Sequence, residues 1–288
     1  MAHNPGRRTS FKKMILGGAA IGSLSSFEMK EKYQLKGNIT HGVCAWCFPQ
    51  YSLEELCVEA KKIGIKGIDL VGPGGWETLK KHGIHSSMCN GAEINLVDGF
   101  GEKKFHDQLV KNYSELIPLV AKAGYTNLIC FSGNRRGMDD ETGLKNCQEG
   151  LEKIIPIAKK HGVILQMELL NSRVDHKDYL NDKSAFGIEL CKRLDSENFK
   201  LLFDIYHMQI DEGDLIRSIR DNHQYFGHYH TAGNPGRNEL NESQEINYPA
   251  VMEAIKASGF KGFVSHEFIP KAENKMASLA QAVEVCDV

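Results

Sequence analysis

From about residue 35 onward, short apolar runs alternate with longer stretches whose apolar residues recur every three or four positions. Eight of the runs read as strands: NITHGVCAW, IKGIDLV, IHSSMCN, TNLICFSG, GVILQMELL, KLLFDIYHM, FGHYHTA and KGFVSHEF. Between them lie amphipathic helical patterns. SLEELCVEAKKIG has Ser52 as its N-cap and Gly64 as its stop, and DQLVKNYSELIPLVAKAG, LKNCQEGLEKIIPIAKKHG and YPAVMEAIKASG follow further on. Several of these helices end in a glycine directly before the next strand, as short helix-to-strand loops require. Eight strands alternating with helices predict an α/β fold, a (β/α)₈ TIM barrel in a single domain over residues 35–288. A doubly wound open sheet would carry a glycine-rich phosphate loop after its first strand, and CAWCFPQYS is not one. VGPGGWETL, rich in glycine but without that spacing, is expected as a loop at the barrel mouth.

Composition narrows the partners. With 41% hydrophobic and 25% charged residues among 288, the chain can bury a substantial core, and its net charge of −2 provides no basic field for nucleic acid. Small, neutral or anionic ligands remain open, as does a homo-oligomer. Residues 1–30 differ in kind from the rest: Arg7 and Arg8 precede a weakly apolar segment from Met14 to Leu24, too short to span a bilayer. That stretch resembles a twin-arginine export leader, which implies a periplasmic protein if the leader functions, a cytoplasmic one otherwise, and no stable membrane anchor in either case. The eight cysteines form no tight framework. Cys44 and Cys47 have redox-motif spacing but follow a strand instead of opening a helix, and Cys89 and Cys130 lie in apolar runs as small core residues.

In a parallel barrel the chemistry gathers at the C-terminal ends of the strands. Four consecutive predicted strands end in Glu168, Asp204, His230 and Glu267, at separations of 36, 26 and 37 residues, each about one strand-plus-helix repeat. Singly, Glu168 and Asp204 could cap the following helices, His230 could be a hydrogen-bonded core histidine and Glu267 could pair with an arginine. Together they form an oxygen-rich set for one divalent metal ion, with Mn²⁺, Mg²⁺ or Co²⁺ ahead of zinc. Strand alternation places His228 on the same side as His230, one layer deeper, and turns His266 away from Glu267. Asn171, Arg173, His207 and Arg237 fall in loops that face the opening, where they could hold a substrate carboxylate or hydroxyl.

The segments MELLNSR, FDIYHMQIDEGDL and GHYHTAGNPGRNEL, with EINYPAVMEAIKASGFKGFVSHEF after them, resemble the hydroxypyruvate isomerase family within the xylose-isomerase-like TIM barrels, most strongly over residues 163–270. The resemblance implies a divalent metal on Glu168, Asp204, His230 and Glu267, a proton shuttle by Glu168 and Glu267, and substrate contacts from His207 and Arg237. At the His230 position many hydroxypyruvate isomerases carry glutamine, and the related ketose 3-epimerases carry histidine. The expected activity is therefore conversion of hydroxypyruvate to tartronate semialdehyde through an enediolate, with a ketose 3-epimerase or another sugar or cyclitol isomerase as the alternative. A phosphodiesterase or endonuclease on this barrel would need further metal ligands and a basic groove, and a non-catalytic sugar-binding protein would have no use for two glutamates at one metal.

Overall fold

The computed structural model describes residues 34–288, so the expected leader at 1–30 lies outside the described residues. Eight strands occur where the apolar runs predict them: β1 (Thr40–Cys44), β2 (Gly67–Asp69), β3 (His85–Met88), β4 (Asn127–Cys130), β5 (Ile164–Glu168), β6 (Phe199–Asp204), β7 (Phe226–Thr231) and β8 (Phe263–His266). All pair in parallel in the order β3-β2-β1-β8-β7-β6-β5-β4, each followed by helix, so the chain is a TIM barrel. The seam between β3 and β4 is closed just past β3. Cys89 accepts from the Ile129 amide at 3.0 Å and donates to Asn127 O at 2.9 Å.

The helices follow their caps. Ser52 and Glu55 form a reciprocal capping box at the start of the helix Leu53–Ile63, and Gly64 ends it at a φ of 100°. Three expectations need correction. The stretch LKNCQEGLEKIIPIAKKHG is two helices, Asp140–Leu151 and Ile155–His161, because Pro156 cannot donate to the carbonyl four residues back and instead sits in the first turn of the second helix. KLLFDIYHM leaves the sheet at Asp204, and Ile205–Asp211 is helical. VGPGGWETL is only partly a loop: Trp76 opens the helix Trp76–His82 and is buried, its Nε1 donating to the Val71 carbonyl at 2.8 Å.

Inside the barrel the packing is polar and tight. A Cβ at Gly42 would lie 2.1 Å from Ser265 Oγ, and one at Gly67 would lie 2.3 Å from Ser87 Oγ, so these glycines are what admit the two serines to the axis. Asn127 donates to the Ser87 carbonyl and accepts from Gln166, so buried amides satisfy one another across β3, β4 and β5. Register then sets the site: Asp204 lies level with His230 across β6 and β7, and Glu267, just past β8, donates its amide to Thr231 O at 2.9 Å.

Candidate active site and metal centre

Asp204 divides its two oxygens between the following helix and the site. Its Oδ1 caps the helix Ile205–Asp211, accepting from the Tyr206 and His207 amides at 2.8 and 3.1 Å. Its Oδ2 is buried without a hydrogen-bond partner among the described residues and faces Arg237 Nη2 at 3.5 Å and His230 Nδ1 at 4.0 Å. Around the same point, His230 Nδ1 lies 2.9 Å from Glu267 Oε2 and 3.2 Å from Glu168 Oε1. All four side chains are buried, and one ligand atom from each lies within 4.8 Å of the others.

The opposite nitrogen of His230 reaches a carboxylate that the sequence reading missed. Asp69, at the end of β2, accepts from His230 Nε2 at 2.9 Å, from His228 Nε2 at 2.6 Å and from the Ser87 hydroxyl. With Nε2 donating to Asp69, Nδ1 is the nitrogen turned to the carboxylates; burial opposes its charge, but Glu267 and the Asp69 bond raise the ring well above its ordinary value, so Nδ1 bears a proton that a cation would displace. His228 thus supports the site from one layer below. His266 turns away, contacting Thr231 Oγ1 at 2.9 Å and His41 Nδ1 at 3.2 Å. Trp46 was also missed: its Nε1 donates to Glu267 Oε1 at 2.8 Å, and the Arg237 guanidinium stacks over its ring at 5.3 Å and over Tyr206 at 5.5 Å. Asp69 carried the same cue as Asp204, a carboxylate closing an apolar strand. Trp46 sits in a 3-10 turn that no periodicity marks.

The predicted substrate-contact residues divide. Arg237, at a φ of 57°, reaches the site and pairs with Glu267 through Nη2. His207 is fully buried, its Nδ1 taking a hydrogen bond from Asn171 Nδ2 at 2.5 Å, so that Nε2 faces Asp204 Oδ2 at 3.6 Å. Asn171 orders its own loop, its Oδ1 accepting from the Val174 and Asp175 amides. Arg173 lies outside, its guanidinium on the Ile210 carbonyl and beside Asp211. Cys44 and Cys47 are buried thiols pushed well up by that burial, which removes the thiolate a redox motif needs.

Crowding three carboxylates out of water splits their protonation. Burial pushes Asp204 up to about 7 against the pull of Arg237, and burial with the Glu267 charge raises Glu168. Glu267 goes the other way: burial alone would raise it, but the His230 and Arg237 charges hold it well below the usual carboxylate range. Burial, with Arg237 adding to it, drives His207 well below its ordinary value, so it is neutral. A divalent cation fits this set. The unpartnered Asp204 Oδ2, the aimed Nδ1 and two further carboxylate oxygens form a hard, anionic cradle that a cation would neutralise.

Above these groups opens a cavity of about 490 Å³, lined by Trp46, Arg237, Glu168 and Glu267, by the polar Asn90, Glu93, Asn95 and His176, and by an apolar set that includes Leu70, Ile129, Phe131 and Leu170. No helix among the described residues is long and apolar enough to cross a membrane.

The family model described as xylose isomerase-like TIM barrel matches residues 59–286. A 2-oxo-tetronate isomerase of Cupriavidus necator is 34% identical over 115 residues, 40% of this chain and 44% of the relative. The enzyme of that name from Pectobacterium atrosepticum is 28% identical over 208 residues, 69% of this chain and 77% of the relative. The match to the first of these thus spans less than half of the relative's length. Among solved structures, an AP endonuclease of family 2 from Brucella melitensis superposes with a TM-score of 0.75 at 22% identity, over 84% of this chain and 98% of its own, a likeness of fold.

Proposed function

The chain belongs to the xylose isomerase-like TIM barrel family, and on that premise we propose that it is a metal-dependent isomerase or epimerase of a sugar-like α-hydroxy carbonyl compound. The observation that carries this reading is the pair of glutamates converging on one imidazole nitrogen with their protonation driven in opposite directions. Glu267, ionised, takes the proton from the hydroxyl-bearing carbon beside the carbonyl. Glu168 returns a proton to the former carbonyl carbon, and the hydroxyl proton passes to the old carbonyl oxygen, so that the product is an isomer. Delivery to the original carbon from the other face would give an epimer. Neutral His207 turns Nε2–H toward Asp204 Oδ2 and so orients that carboxylate. A divalent cation on Glu168, Asp204, His230 Nδ1 and Glu267 would supply further positive charge to those oxygens. Hydroxypyruvate is a small compound with this chemistry, and the cavity volume favours a longer carbon chain.

The test is proton NMR in D₂O with Mg²⁺-loaded protein, offering hydroxypyruvate and a four-carbon analogue. Loss of about 10²–10⁴-fold in exchange at the hydroxyl-bearing carbon is expected for Glu267→Gln. Glu168→Gln is expected to keep part of that exchange while losing product. An unaltered exchange rate in Glu267→Gln would remove it as the base.

A further inference from the structure

Besides the polar Asn90, Asn95 and His176, the cavity lining contains two unlike groups of side chains. One carries the carboxylates. The other is an apolar wall of Leu70, Ile129, Phe131 and Leu170, backed by Met88, Tyr179 and Leu202 in a hydrophobic cluster separate from the main core. Leu70 lines this wall at a φ of 61°, a region leucine rarely adopts and one that costs about 1–2 kcal/mol. Such strain is retained where the surroundings require it. The wall continues to the surface: of seven exposed large hydrophobic side chains among the described residues, five (Trp46, Leu96, Val97, Val174 and Ile269) lie in loops at the C-terminal ends of strands. Exposed apolar surface gathered at one mouth marks a contact.

A small hydroxy acid, polar at both ends, would leave this wall facing water. Volume points the same way, since a liquid water takes about 30 Å³ and the cavity holds about 490 Å³. Charge gives an anionic extension little to pair with. The charged groups lining the cavity are Glu93, Glu168, Glu267 and Arg237, and Arg237 is already paired with Glu267. We propose that the apolar wall is a substrate subsite, and that the compound processed here carries an uncharged apolar substituent, aliphatic or aromatic, beyond its reacting α-hydroxy carbonyl group. The inference rests on the proton-shuttle reading for where the head of the substrate lies.

Probes that keep the head and vary the tail test it: hydroxyacetone, 1-hydroxyhexan-2-one and 2-hydroxyacetophenone. Binding to the Mg²⁺-loaded protein is read from tryptophan fluorescence, because Trp46 lines the cavity and the other tryptophan, Trp76, is buried elsewhere. The tailed probes are expected to bind at least about tenfold more tightly than hydroxyacetone. Leu96→Asp, at a solvent-exposed rim position, is expected to shrink that ratio severalfold, whereas Leu119→Asp, on the outer face of the helix His106–Ala123, keeps it. Equal affinities for all three probes, or the same ratio in Leu96→Asp, would overturn the subsite. So would sedimentation showing a dimer that buries the mouth and excludes every probe. Deuterium exchange into the same probes separates the two readings: exchange without tail preference sinks the subsite alone, and tail preference without exchange sinks the proton shuttle alone.

Discussion

At the residue scale, Asp69 does the least visible work. By accepting from His230 Nε2 it leaves Nδ1 as the nitrogen that faces Glu168, Asp204 and Glu267. Asp69→Asn nearly preserves shape but puts an amide where three donors converge. Mg²⁺ or Mn²⁺ affinity by calorimetry is expected to fall about 10–100-fold. In parallel, ¹⁵N NMR of the apoprotein should show His230 giving up its second proton at lower pH; unchanged affinity with an unchanged titration would refute the role. Glu168, Asp204, His230 and Glu267 were legible in the sequence because each closes an apolar strand, a position whose cost calls for a partner. Asp69 was equally exposed to that logic but lies on β2, far in sequence from the other four. Trp46 and the loop-bound Arg173 were not legible, since turn geometry decides whether such a side chain turns into the cavity or away from it.

At the scale of elements, caps and breakers decided the boundaries. Ser52 accepts from the Glu55 amide while Glu55 reaches back to Ser52, and Ser52→Ala is expected to cost about 1 kcal/mol, read as a lower urea midpoint at unchanged slope. No change in midpoint would mean that the helix Leu53–Ile63 is held by its packing alone. The strands were readable because β-branched and aromatic residues cluster in short runs between glycine stops. Their ends were less so: Asp204 turns the chain into a helix in the middle of an apolar run, and only its side-chain capping bonds explain why. Pro156 was visible in the sequence, yet the periodicity on either side of it masked the break it makes.

For the molecule as a whole, buried histidines set the acid limit. Burial, partly offset by Asp287, lowers His41 to about 4 from its ordinary 6.5. Below 6.5 the unfolded chain takes up a proton that the folded one refuses until about 4, so the His41 contribution is full above pH 6.5 and declines as pH falls through that window. The loss from His41 is about 3 kcal/mol by pH 4, and His266, lowered by burial and by His41, adds in the same direction. Because Asp204, raised to about 7, gains stability as pH falls over the same window, the measurement compares urea unfolding of the protein with that of His41→Gln from pH 7 to pH 4, and equal slopes in the two would contradict it. The order of the barrel followed from alternation alone, but the way it closes did not. Seven of its eight strand junctions are ladders, two of them with a register shift (at Ile68/Asp69 and at Leu201/Leu202), whereas the eighth rests on Cys89 and its two backbone bonds. The hoop should therefore breathe there first, with the Ile129 amide exchanging its hydrogen sooner than its neighbours along β4. Because the Ile129 side chain also forms part of the cavity wall, whatever fills that wall should tighten the seam, tying the stiffness of the barrel to its occupancy.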